Sequence, residues 1–152
     1  MSKYLFDASS IINLMKRGTV TLLADGETLD LALYEAINAI WKEYSKLKVI
    51  SKDLSKRYIR VVRRVMEVIP INIIKGLEEE VFDLASKEDL TIYDASYLLI
   101  AKRKNLVLVT DDNVLRSKPV VSSFSERIKF IQLHTNIFYI MQDVGMYPER
   151  LA

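Results

Sequence analysis

The chain has 152 residues, 50% hydrophobic and 28% charged, with a formal net charge of +2; this balance fits one folded domain and singles out no partner. It has no Cys and one His, which excludes thiol nucleophiles, thiolate zinc sites, disulfides and any site built on two imidazoles. Its glycines, at 18, 26, 76 and 145, allow neither G-x-x-x-x-G-K nor G-x-G-x-x-G, so any chemistry rests on carboxylates, hydroxyls and metal ions.

Tyr4-Leu5-Phe6 reads as a short buried strand that stops at Asp7. Asp7, Ser9 and Ser10 are all suitable caps for a helix carrying Ile11, Ile12, Leu14 and Met15, which Gly18 ends. Residues 28–33 alternate like a strand or form the approach to a helix. That helix is expected from about Tyr34 to Leu47, with Ile37, Ile40, Trp41 and Tyr44 at helical spacing. A second long helix is expected from about Asp53 to Val68, because Leu54, Tyr58, Val61, Val62 and Val65 share one face and Pro70 stops it. Ile71 to Ile74 has strand character, and Leu77 to Ser86 reads as a helix with Glu78, Glu79 and Glu80 favourable to its dipole. Asp94 opens another helix through Leu98, Leu99 and Ala101, and Asn105 breaks it before Leu106–Val109, the clearest strand.

This alternation predicts an α/β fold with a mostly parallel sheet. After Pro119, Ile128 to Leu133 is a candidate last strand, and Asn136 a candidate cap for a helix with Ile137, Ile140, Met141 and Val144. No repeat or linker divides the chain and no apolar run approaches 18 residues. One soluble, cytoplasmic domain over 1–152 is expected, with the part after about 119 a C-terminal helical addition.

Most of the 20 acidic residues fall on polar faces. Asp7, Asp111 and Asp112 instead end apolar strands, where open α/β sheets gather ligands. Asp94 and Glu35 sit among apolar neighbours. Singly, Asp7, Asp94 and Asp112 read as helix caps and Glu35 as an exposed first-turn residue. As a set on one sheet edge, they would repel each other and resist ionisation. A divalent cation removes that conflict. An all-oxygen site suits Mg²⁺ or Mn²⁺, ions used mainly on phosphates.

Four segments, FDASSIINL (6–14), LYEAINAIWKE (33–43), TIYDASYLLIAKR (91–103) and LVTDDNVL (108–115), resemble in order the motifs of the PIN-domain nucleases, which include the VapC toxins of toxin–antitoxin pairs. The resemblance implies a three-layer α/β/α sandwich with a parallel sheet and metal-dependent cleavage of RNA. It further implies a homodimer and an antitoxin partner. It assigns the metal site to Asp7, Glu35, Asp94 and Asp112. The T-x-D spacing selects Asp112, with Asp111 a neighbour or partial substitute.

Ser9 and Thr110 can donate to a scissile phosphate or to water, or serve as a cap and a turn residue. Asn38, one turn after Glu35, can orient that carboxylate. His134 lies far from every motif and reads as a surface or core residue. From Lys42 to Arg64 there are nine basic and two acidic residues; Lys56, Arg60, Arg63 and Arg64 lie opposite the apolar stripe, as a solvated face or an RNA-binding one.

The expected function is therefore a metal-dependent endoribonuclease cutting single-stranded RNA. The alternatives are a non-cutting RNA- or protein-binding module and an RNA-processing nuclease without an antitoxin. A phosphotransfer enzyme of the haloacid dehalogenase type would need a second Asp where Ser9 stands. A receiver domain would need a late strand ending in Lys, and none is found.

Overall fold

Strand β1 (Tyr4–Phe6) runs through the middle of the sheet, so its side chains are covered from both sides and form a continuous apolar run. The computed structural model describes residues 1–113 and 115. Within them β2 (Gly26–Leu29), β3 (Ile71–Asn72) and β4 (Val107–Val109) complete a sheet of order β3-β2-β1-β4, with every pairing parallel. Such connections need crossovers, supplied by helices on the two faces. Helices α1 (Ala8–Lys16), α2 (Leu31–Ser45) and α3 (Lys52–Val68) pack together. Helices α4 (Glu78–Glu88) and α5 (Ile92–Lys104) form the other pair, and α5 lies on β1 and β4. The architecture is the expected three-layer α/β/α sandwich.

The local reasons are short-range. Asp7, Ser51 and Thr91 cap α1, α3 and α5 through their side chains. Asn105 ends α5 in the left-handed region at φ 56. Gly26 at the start of β2 sits against the Phe6 ring: a Cβ there would lie 2.1 Å from it, so the ring would have to shift. Leu5, Leu29, Leu98 and Leu108 are among the fully buried side chains of the main core.

Several expectations need correction. Asp94 does not open α5; Thr91 does, and Asp94 is its third residue. Helix α2 begins at Leu31, and β2 ends before it, so residues 28–33 hold both a strand end and a helix start. Its buried face is Ala32, Ala36 and Ile40, and the two alanines let α1 and α3 approach; Ile37, Trp41 and Tyr44 are exposed. A short 3-10 helix, Val20–Asp25, lies between α1 and β2. Ile128–Leu133, His134 and the helix expected from Asn136 lie outside the described residues. Among the described residues no helix is long and apolar enough to cross a membrane.

Candidate active site

Two strands end side by side. β1 and β4 pair Phe6 with Val109, and the Asp7 amide donates to the Val109 carbonyl at 3.2 Å. Asp7 and Thr110 therefore leave the sheet together at its carboxyl edge, where α/β folds place their sites.

Asp7 is buried. Its Oδ1 accepts from the Ser10 amide at 2.8 Å and the Ser9 hydroxyl at 2.7 Å, and its Oδ2 accepts from the Thr110 hydroxyl. A carboxylate offers roughly four lone-pair sites, so capping α1 still leaves Oδ2 a free one. Burial pushes the Asp7 carboxyl above its ordinary value, more than the bonds from Thr110, Ser10 and Ser9 hold it down.

A hydroxyl has one proton, and both Ser9 and Thr110 give theirs to Asp7. Ser9 Oγ in turn accepts from the Asp111 amide, and Thr110 Oγ1 from the Asp112 amide, both at 3.0 Å. These hydroxyls hold the two strand ends to one carboxylate; in this arrangement they have no proton for a phosphate.

The two adjacent acids part ways. Asp111 Oδ2 accepts from the Asn13 side chain of α1. Asp112 Oδ1 accepts from the Leu115 amide at 3.2 Å and caps the next turn. Asp94 is held at the start of α5 by Thr91, whose hydroxyl donates to Asp94 Oδ2 at 2.8 Å and accepts from its amide.

Glu35 sits half-buried on α2, and Tyr97 of α5 donates to its Oε2 at 3.0 Å. Burial pushes the Glu35 carboxyl up to about 6; the Tyr97 bond opposes this, and the charges of Asp7, Asp94 and Asp112 add to it. Burial and the charges of Glu35 and Asp7 also push the Tyr97 phenol far up, so it remains a donor. Asn38 is exposed, and the side chain seen to donate to Glu35 is Tyr97. Lys56, Arg60, Arg63 and Arg64 are exposed on α3, where Arg63 pairs with Glu67 at 3.4 Å.

The four carboxylates thus share one electrostatic neighbourhood. Among the described residues, no three of them are already closed around one metal-sized point. The donor set fits a hard divalent cation: it is all oxygen, Asp7 and Glu35 are partly desolvated, and the charges of Asp7, Asp94 and Asp112 raise the cost of charging Glu35. Sequence reasoning missed Tyr97, Asn13 and Thr91. The signal for Tyr97 was its place one turn after Asp94 on the same helix.

Fold and carboxylate edge together are PIN-like. No family model matches the chain. Over 93 residues it is 38% identical to Exonuclease VapC9 of Pyrobaculum aerophilum; the match covers 59% of this chain and 64% of that protein, just under two thirds of the relative's length. Ribonuclease VapC3 of the same organism is 29% identical over 91 residues, covering 60% of this chain and 69% of the relative. The solved structure of PAE2754 from Pyrobaculum aerophilum superposes with a TM-score of 0.68 at 26% identity, covering 96% of this chain and 98% of that one. A chain from a toxin–antitoxin complex of Klebsiella pneumoniae shares the fold, with a TM-score of 0.56 at 17% identity over 87% of this chain and 98% of that one. By sequence and by fold, the chain is similar to VapC proteins.

Proposed function

We propose that the chain is a divalent-metal-dependent endoribonuclease that cuts single-stranded RNA in the cytoplasm, as the toxin of a toxin–antitoxin pair. The observation that carries this is Glu35, whose carboxyl burial and the charges of Asp7, Asp94 and Asp112 raise to about 6. An acid shifted by burial together with specific neighbouring charges is a functional-site candidate. The names of the VapC relatives, one a ribonuclease and one an exonuclease, support the nuclease class.

Asp7, Glu35, Asp94 and Asp112 would hold Mg²⁺ or Mn²⁺, with Asp111 as a further oxygen donor. When bound, such an ion supplies positive charge against the negative charge that develops on the phosphate, and it acidifies water. The chain's own residues do the rest. Ser9, Ser10 and Thr110 fix Asp7 at the strand edge. Tyr97 occupies Glu35 Oε2, leaving Oε1 to orient the attacking water and take its proton. In-line attack by water needs no ribose hydroxyl, so the products carry 5′-phosphate and 3′-hydroxyl ends.

The basic face of α3 would draw the RNA backbone towards an acidic pocket that otherwise repels it. The exposed stripe Tyr34, Ile37, Trp41 and Tyr44 on α2 supports a homodimer, readable by light scattering at micromolar concentration. An antitoxin would insert a segment into the cleft and offer Arg or Lys to the carboxylates.

The test is cleavage of single-stranded RNA in Mg²⁺ or Mn²⁺ by wild type and by Asp94→Asn. The variant should fold and lose cleavage. Full activity in folded Asp94→Asn, or cleavage that persists in EDTA, overturns the reading and leaves the non-cutting binding module.

A further inference from the structure

Helix α5 is buried from Ala95 through Ala101, and only two side chains in that run carry polar heads. Ser96 satisfies its hydroxyl within the helix, donating to the Ile92 carbonyl at 2.6 Å. Tyr97 does not. Its hydroxyl crosses to α2, 62 positions away in sequence, and donates to Glu35 Oε2 at 3.0 Å. The side chain is 2% exposed, so a Phe would serve the packing equally; the hydroxyl needs another reason.

The surroundings supply one. Thr28, fully buried on β2, faces the same phenol and gives its own proton to the Phe6 carbonyl at 2.6 Å, one residue before Asp7. Asp94 lies one turn earlier on α5. The phenol therefore stands where β1, β2, α2 and α5 bring their site residues together. Glu35 has three rotatable bonds and a half-open position. Repelled by Asp7, Asp94 and Asp112, an untethered carboxylate would swing to water, where its charge is better solvated.

We propose that Tyr97 is a positioning residue, holding the Glu35 carboxylate towards Asp7, Asp94 and Asp112 through its hydroxyl. This rests on the nuclease reading above, because it gives that carboxylate a metal to meet.

The experiment is a double-mutant cycle on the full chain with Tyr97→Phe and Glu35→Gln. Mn²⁺ affinity is read by calorimetry, and kcat and KM on a single-stranded RNA. Loss of a group that orients a ligand costs about 10–100-fold in metal affinity, and Tyr97→Phe should fall in that range with a lower kcat and an unchanged KM. In the Glu35→Gln background the same change should add less than about twofold, because there is no carboxylate left to hold. Equal losses in both backgrounds would show a structural role independent of Glu35 and overturn the proposal. Wild-type behaviour of Tyr97→Phe beside a damaged Glu35→Gln overturns it while leaving the nuclease reading intact. Wild-type metal affinity and cleavage in Glu35→Gln would overturn the assignment of Glu35 and this inference together. Should Tyr97→Phe fail to fold, ¹³C-labelled tyrosine in the unmutated chain decides. Mg²⁺ should move the Tyr97 resonance, and Glu35→Gln should abolish the movement; a resonance indifferent to Mg²⁺ overturns the proposal.

Discussion

The Thr110 hydroxyl donates to the Asp7 carboxylate across 103 positions of sequence, joining the ends of the first and last described strands. Thr110 itself is wholly buried. Valine has nearly its shape and no proton, so Thr110→Val would leave Asp7 Oδ2 without a donor in a desolvated place. That costs about 1–3 kcal/mol by the usual penalty for an unsatisfied buried acceptor. Thr110→Ser, which keeps the bond, should cost less. Urea denaturation in EDTA at pH 7 measures both.

Gly26→Ala should destabilise by about 1–3 kcal/mol, the range for overpacking a core. The added methyl meets the Phe6 ring, which is 4% exposed and has little room to yield. Phe6 precedes Asp7, so the displaced ring should also lower the proposed nuclease activity in chains that remain folded. A melting temperature unchanged from wild type would show that the ring moves aside freely.

Metal-free stability should depend on pH through Glu35. Its folded carboxyl lies at about 6, above the ordinary 4.5. A raised acid holds its proton more readily when folded, so its contribution is fully present below about 4.5 and is lost as pH rises through about 6. Asp7 is shifted in the same direction. Stability in EDTA should therefore rise as pH falls from 7 towards 5, and Glu35→Gln should flatten that slope. An identical slope in the variant would remove Glu35 as its source.

Divalent ions should reverse this penalty. An ion that binds only the folded chain adds about 2.7 kcal/mol at a hundredfold excess over its Kd. Mn²⁺ should raise the melting temperature of wild type and not of Asp7→Asn. Without metal, Asp7→Asn should be close to wild type in stability, since it removes a charge whose burial is unfavourable. Equal Mn²⁺ shifts in the two proteins would place the ion elsewhere.

Lys56→Ala with Arg60→Ala should weaken RNA binding and leave the Mn²⁺ shift unchanged. Each phosphate contact to a single strand contributes about 0.7 to the slope of log affinity against log salt, so the double variant should lose about 1.4. An unchanged slope would mean that this face meets only solvent.

Much of this was legible from residues alone. β1 and β4 are apolar runs that stop at Asp7 and Thr110, and α3 has a clean stripe ending in Val62 and Val65. What escaped depended on contacts distant in sequence. In α5 nearly every residue from Ala95 to Ala101 is buried, so periodicity cannot distinguish one face from another, and Tyr97 reads as one more core residue. Thr91 was overlooked as a cap because Asp94, three positions on, is an equally good one. The apolar stripe of α2 suggested its core side, yet Ala32 and Ala36 face inward because close helix packing favours small side chains. The separate fates of Asp111 and Asp112 depend on Asn13, which no local pattern ties to either.

The strand order bears on how the protein is made. β1 is synthesised first and lies between β2 and β4, with Tyr4 paired to Val107. At roughly 5–20 residues per second, a ribosome needs about 5–20 seconds between those two positions. Throughout that interval one edge of the first strand lacks its partner, and Asp7 has neither Thr110 nor Asp112 beside it. A growing chain therefore cannot assemble its carboxylate edge until nearly all of the sheet has been translated. Under the proposed nuclease function, its own messenger, held close by throughout, would be spared during that time.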